Sequence, residues 1–536
     1  MQRRSFLLAA AGGTAVTLGA AAGLWRWQEI PASVRYPGRT EGHFLRDRKA
    51  LPAPARTLRT DVLILGSGIA GLTAAWKLNR SGRRDFLLID GPEPDGNAAG
   101  GQFGDLAYPT GAHYLPLPST ESFHVREILH DLGILLRNPE SARPYYDERY
   151  LLHAPEERLL IDGVWQEGLV PNTDANAEEL AEQTRFGQQI AHLRNLRDST
   201  GQRIFTLPSV NSSQDPEWQT LDQISMKNWL QQNDYRSPRL HWYVNYGCRD
   251  DYGSNYDQIS AWAGLHYFCS RNGQAENADD GAWLTWPGGL QAVASGLRGT
   301  LGKNTRSGTC ISLRQTAGGV EALCMQLRDG VPQTYTVQAR KAICAMPLMV
   351  AARVVENMAA FGFDPQQHMP AYAPWLVANF LLRQFPAELP EAPLSWDNVV
   401  YQEPGLGYVV STHQDIRVQP PPKTVFSAYV ALSDRSPEAA RQWLGQATAD
   451  ELLTLASTDL KSAYGWKLAL CAERVDITVR GHAMAIPRPG FRSNAGVRRL
   501  READGAILFA HADLSGFSVF EEASWWGYQA ALRAIA

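Results

Sequence analysis

Gly66, Gly68 and Gly71, followed 19 residues later by Asp90, have the types and spacing needed to hold the pyrophosphate and ribose of a dinucleotide. Gly66 allows a tight turn, Gly68 lets a pyrophosphate approach the main chain, and Gly71 lets a helix pack close to the strand before it. The main-chain N–H groups of Ile69 and Ala70 then face the phosphates at a helix N-terminus. Asp90 is placed to accept hydrogen bonds from ribose hydroxyls.

These residues need elements in a particular order to position them, and the flanking sequence supplies that order. Asp61–Leu65 reads as a buried parallel strand, Ile69–Leu78 as a helix that breaks at Ser81-Gly82, and Phe86–Ile89 as a second apolar strand ending at Asp90. Near the other end, Ala506–Ala510 reads as a strand, followed by His511-Ala512-Asp513 and a helix from Glu521 to Ile535. A carboxylate followed by a helix N-terminus suits a ribityl hydroxyl and the electron-rich edge of a reduced flavin. FAD is therefore the expected cofactor.

Here the chain resembles the flavin-containing amine oxidase superfamily. Phe509–Asp513 is similar to its FAGxE segment, and Trp525, Gly527 and Tyr528 to its later W-x-G-Y stretch. Trp286–Leu290 resembles its GG-plus-helix segment, Lys341–Pro347 its buried strand ending in x-x-P, and Arg480–Gly490 its R-W-x-x-A-x-P-x-P-G region. The resemblance implies that Asp513 holds the ribityl chain. It also implies that Gly100, Gly101 and Gln102 form the flavin loop, with Gln102 where the family has an arginine. Three residues emerge as catalytic candidates. His113 follows Gly111-Ala112 near the expected flavin ring, where it is either a proton handler or a hydrogen-bonded structural histidine. Tyr528 would face the substrate. Asn379 is the polar inward candidate in Trp375–Arg383, where the family's N5-contacting lysine would be sought; no lysine occurs between Lys341 and Lys423. Asn245–Gly253 followed by Ser260–His266 is either a substrate wall or a capped helix–turn–helix.

The chain has 536 residues, 44% hydrophobic and 20% charged, with a net charge of -4. That length calls for roughly two domains, and the charge implies no nucleic-acid partner. The six cysteines are scattered without metal or redox spacing. Arg3-Arg4-Ser5-Phe6-Leu7-Leu8 resembles a twin-arginine export motif ahead of a weakly apolar run, so the expected partners are the export machinery and a small-molecule substrate, and the expected compartment is the periplasm, either free after cleavage or held at the inner membrane by an uncleaved signal. The fold class expected is α/β, a Rossmann-like FAD-binding domain assembled from residues 58–165, 280–347 and 490–536, with an α+β substrate domain from 166–279 and 348–489, after a signal segment at 1–27. The function expected is hydride transfer from a small substrate, an amine or polyamine, to flavin, with the final electron acceptor open. Two alternatives stand beside it: a desaturase or protoporphyrinogen oxidase-like enzyme, and a catalytically idle FAD-binding envelope protein.

Overall fold

The computed structural model describes residues 27, 29–47, 51–388, 392–419 and 421–536, so the signal segment expected at 1–27 lies outside the described residues apart from Trp27. Two large sheets organise the chain. The chain enters with a short strand, β1 (Ala32–Arg35), and a helix, α1 (Arg39–Asp47). The dinucleotide motif then folds as expected, with β2 (Thr57–Leu65), α2 (Ile69–Arg80) and β3 (Phe86–Ile89).

In the first sheet β3 pairs in parallel with β2, β2 with the strand Val331–Cys344, and that strand with Ile507–Phe509. Val62, Leu63, Ile64 and Leu65 are all buried, because helices cover both faces of the sheet. On one face α2 packs against the helix Phe520–Ile535 so closely that a Cβ at Gly527 would lie 2.0 Å from the Ala70 carbonyl oxygen. Antiparallel strands Thr309–Thr316 and Gly319–Arg328 extend the sheet edge.

Among the described residues the second sheet has eight strands. Its order is β1, Ala472–Ala485, Tyr372–Leu382, Thr424–Ala431, Tyr408–Val410, Asp397–Val400, Glu157–Ile161 and Val164–Glu167. Every residue of Tyr372–Leu382 and of Thr424–Ala431 is buried, so neither strand shows the alternation of a half-exposed one. Two boundaries therefore differ from the sequence reading. Residues 157–165, expected with the dinucleotide domain, pair into this second sheet, and β1 joins it from before the motif.

A layer of helices covers part of the second sheet. It includes Ala177–Asn195, capped by a reciprocal Asn176/Glu179 box, and the pair Pro238–Tyr252 and Ala261–Cys269. The pair is a helix–turn–helix, ended by Gly253 at φ 64° and restarted by the Ser260 cap. Among the described residues no helix is long and apolar enough to cross a membrane.

Candidate active site

The strand order lays out a line of groups along the carboxyl edge of the first sheet: Asp90 after β3, Gly66 after β2, Ala345–Pro347 after Val331–Cys344, and Asp513 after Ile507–Phe509. Three strand spacings of about 4.8 Å put roughly 14 Å between its ends. A cavity of about 790 Å³ runs along this edge, lined by Gly66–Ala70, Asp90, Glu93, Asp95–Ala98, Met346, Pro347, Asp513 and Ser518–Phe520 among others. That volume is within the range of a large ligand site.

Its geometry fits a pyrophosphate cradle. Gly66 sits at φ +104°, where a Cβ would lie 2.8 Å from the Ala345 carbonyl oxygen. A Cβ on Gly71 would lie 1.8 Å from the Gly66 carbonyl oxygen, so only glycine lets α2 start here. Gly68 has open space where its Cβ would be, and it caps α2 without a side-chain bond. The first N–H groups of the helix are left for an anion.

At one end Asp90 Oδ1 accepts from Arg298 Nη1 at 2.7 Å, and the same guanidinium reaches Asp95 at 2.7 Å and Ser67 Oγ at 3.1 Å. At the other end Asp513 Oδ2 accepts from Tyr372 Oη at 2.5 Å and from the Leu348 amide at 2.8 Å, while His511 Nδ1 lies 3.2 Å from Oδ1. Asp513 thus lines the cavity while also bracing two neighbouring elements.

Several expected site residues are elsewhere. Gly100, Gly101 and Gln102 do not line the cavity; they form β4 (Gly100–Phe103), which pairs antiparallel with β5 (Leu106–Pro109). Their glycines serve packing, since a Cβ on Gly101 would lie 2.5 Å from the Tyr108 ring, and Gln102 is exposed. The loop that does meet the cradle is Glu93–Ala98, where Asp95 and Gly96 both have positive φ and a Cβ on Gly96 would lie 3.4 Å from Gly68 Cα. The Asp95-Gly96 dipeptide is the turn signal that would have found it.

Asn379 is fully buried with its amide spent: Nδ2 donates to the Pro109 carbonyl at 3.0 Å and Oδ1 accepts from Ser427 Oγ at 2.6 Å. It joins β5 to the second sheet and is not free to meet a substrate. Tyr528 also points away from the cavity; its hydroxyl accepts from Lys77 Nζ at 2.6 Å and its ring packs beside Trp76.

His113 belongs to an aromatic cluster, the chamber, whose side chains pack beside the cavity. Its neighbour Ala112 lines the cavity, as does Ala483, which also packs into the chamber. The His113 ring lies 4.5 Å from Tyr429 and 5.5 Å from Trp396, and Tyr114 packs edge-on to Trp283 at 4.8 Å. Burial lowers the His113 pKa to about 3, so the ring is neutral near pH 7. Among the described residues neither ring nitrogen has a hydrogen-bond partner.

The chamber also holds carboxylates. Asp250, in the last turn of Pro238–Tyr252, has Tyr114 as a hydrogen-bonding neighbour, and burial followed by repulsion from Asp251 raises its pKa to about 7. Asp397 is pushed well above the ordinary range by burial and then by Glu157 and Asp250. The nearby Arg271 is already ion-paired with Asp251. The segment Asn245–Gly253 is thus both a helix–turn–helix and a chamber wall. Sequence reasoning missed Tyr114 and Asp397, which come from segments far apart in the chain.

With this geometry in place, comparison with known proteins locates the fold. Residues 64–132 match the model of an NAD(P)-binding Rossmann-like domain. An L-glutamate oxidase precursor from Streptomyces viridosporus is 49% identical over 55 residues, a stretch that takes in 10% of this chain and 8% of that protein. Putrescine oxidase bound to putrescine superposes with a TM-score of 0.62 at 17% identity, covering 89% of this chain and 99% of that one. Cyclohexylamine oxidase from Brevibacterium oxydans gives a TM-score of 0.60 at 17% identity over 89% and 98%. A fatty acid isomerase from P. acnes gives 0.56 at 14% over 88% and 98%. The chain is an α/β protein with a Rossmann-like dinucleotide-binding domain, and it shares the overall fold of these enzymes.

Proposed function

We propose that the protein is an FAD-dependent oxidoreductase that oxidises a small amine lacking carboxylate groups. The observation that carries this reading is the pair Asp250 and Asp397 in an aromatic chamber beside the end of a dinucleotide cavity. Buried carboxylates without a committed cation are costly, and a cationic substrate that meets them relieves that cost. Aromatic faces add cation–π attraction. A substrate carboxylate would need a free cation, and Arg271 is occupied by Asp251. This favours an amine over the glutamate of the short sequence relative, and the likeness to putrescine and cyclohexylamine oxidases points the same way.

In this reading Gly66, Gly68, Ile69, Ala70 and Gly71 hold the pyrophosphate, Asp90 the adenosine ribose and Asp513 the ribityl chain. Bound FAD supplies a two-electron acceptor for hydride. Asp250 binds the ammonium group, and the chamber walls exclude water and orient the α-carbon. Before oxidation the nitrogen must lose a proton, and Asp250, raised to about 7, is a stronger base for it than His113, which burial lowers to about 3. The α-C–H bond then breaks and a C=N bond forms, the hydride leaving with both electrons. Hydrolysis of the released imine yields an aldehyde and ammonia.

Anaerobic mixing of the yellow holoprotein with a panel of mono- and diamines and with glutamate tests this. Bleaching by amines alone is the expected result; bleaching by glutamate alone would overturn the substrate class, and no bleaching by any compound would favour an idle cofactor. The absence of a lysine between Lys341 and Lys423 favours a second reading, dehydrogenation of a C–C bond, but paired carboxylates are poor walls for an apolar substrate. We also place the protein in the periplasm, exported folded by the twin-arginine route, on the strength of Arg3-Arg4-Ser5-Phe6-Leu7-Leu8.

A further inference from the structure

We propose that the segment Tyr36–Arg46 is an additional part of the cofactor site, a basic clasp over the adenosine diphosphate half of the dinucleotide. The proposal rests on the FAD reading above. The segment precedes the glycine motif and belongs to none of the sequence features that pointed to a dinucleotide.

Its path carries the first part of the case. β1 adds to the edge of the second sheet, in register with Val475–Thr478, and is pinned by Ser33 Oγ donating to Asp476 at 2.5 Å and Arg35 Nη2 donating to Tyr108 Oη at 3.1 Å. The chain then crosses to the other sheet. Gly38, at φ +68°, is seated where a Cβ would lie 3.2 Å from Pro92 Cγ, on the turn just past Asp90. Farther on, Leu45 packs against the core of the dinucleotide domain. Between these anchors Tyr36, Arg39, Glu41, His43 and Arg46 line the cavity, yet α1 has no buried residue. A helix of nine residues has little stability of its own in water. It gains most from whatever fills the cavity beneath it.

Charge carries the second part. A diphosphate needs cations, but the cradle loop is acidic, and its arginines are spent: Arg298 on Asp90 and Asp95, and Arg480 on Glu93 at 2.6 Å. Gln102 supplies no charge and is outside the cavity. Arg39 and Arg353 line the same cavity, and neither forms an ion pair among the described residues. The clasp and Arg353 therefore bring the free cations that the glycine loop lacks, in the form that best suits phosphate.

Titration of full-length apoprotein with FAD and, separately, with ADP tests the clasp. The double variant Arg39→Gln/Arg353→Gln is expected to bind both about ten- to a hundredfold more weakly, with the lysine pair recovering part of the loss and the apoprotein melting temperature unchanged. In the wild type, ADP is expected to slow tryptic cleavage after Arg39 and Arg46. Unchanged affinities, or cleavage indifferent to ADP, would overturn the clasp while leaving the FAD reading intact. Wild-type protein that binds neither ligand would overturn both. The proteolysis arm needs no variant, so misfolding of the double variant does not remove the test.

Discussion

Replacing Asp250 with Asn isolates the chamber's charge from its shape. In the folded chain burial and Asp251 raise this carboxyl from 3.8 to about 7. A group whose folded pKa is raised binds more protons folded than unfolded, so stability falls as pH climbs from about 4 to about 7 and stays low above that. The full shift corresponds to about 4 kcal/mol. Asp250 is half-buried, so solvent screening reduces this, and a gain of roughly 1–3 kcal/mol is expected for Asp250→Asn at pH 8. At pH 4, where the native carboxyl is already neutral, the gain should vanish. The asparagine keeps a hydrogen-bonding group for Tyr114 but not the charge for an ammonium group, so kcat/KM for amines should drop about a hundredfold or more. In the wild type, kcat/KM should likewise decline as pH falls below about 7. Thermal melts from pH 4 to 8, paired with steady-state kinetics of both proteins, give the answer. A stability change that is the same at pH 4 and pH 8, or unimpaired amine turnover in the variant, would refute the reasoning.

Other outcomes follow from the same geometry. Asp513→Ala should weaken FAD retention about ten- to a hundredfold and also lower the apoprotein melting temperature, because the Leu348 amide loses its acceptor; titration and apo melts read the two effects separately. Asn379→Ala should cost about 1–3 kcal/mol of stability by leaving Ser427 and the Pro109 carbonyl without their partner, with turnover per bound flavin unchanged. Gln102→Arg should leave the FAD affinity within about twofold of wild type, since an exposed hairpin side chain gains little from an added charge. Lys at both Arg3 and Arg4 should hold the protein in the cytoplasm, and fractionation showing normal export would count against the twin-arginine route.

The dinucleotide unit was legible because its causes are local. β2, α2 and β3 lie within about 30 residues, their apolar runs are continuous, and Gly71 is demanded by the Gly66 carbonyl five residues before it, although Gly66 itself is pressed by the distant Ala345. The terminal strand and helix around Asp513 were legible for the same reason. What escaped was whatever depends on pairing across distance. Gly100-Gly101 looks like a phosphate loop until the β4–β5 hairpin turns it against Tyr108. Asn379 looks like a polar group on an inward strand until Pro109 and Ser427, 270 and 48 residues away, take both ends of its amide. Tyr528 sits in a helix the sequence marks clearly, but which side of that helix meets the cavity depends on its close approach to α2.

The amino-acid sequence alone thus determined that a Rossmann-like dinucleotide-binding unit is present and at which strand ends its motif residues fall, since short-range sterics of glycine and burial of apolar strands leave few other solutions. Only the tertiary structure decided what stands beside that unit: His113, Tyr114, Asp250 and Asp397 reach one cluster from separate elements, and Tyr36–Arg46 crosses between the sheets. Their meeting is set by sheet order and helix packing, which long-range contacts fix and no local pattern encodes.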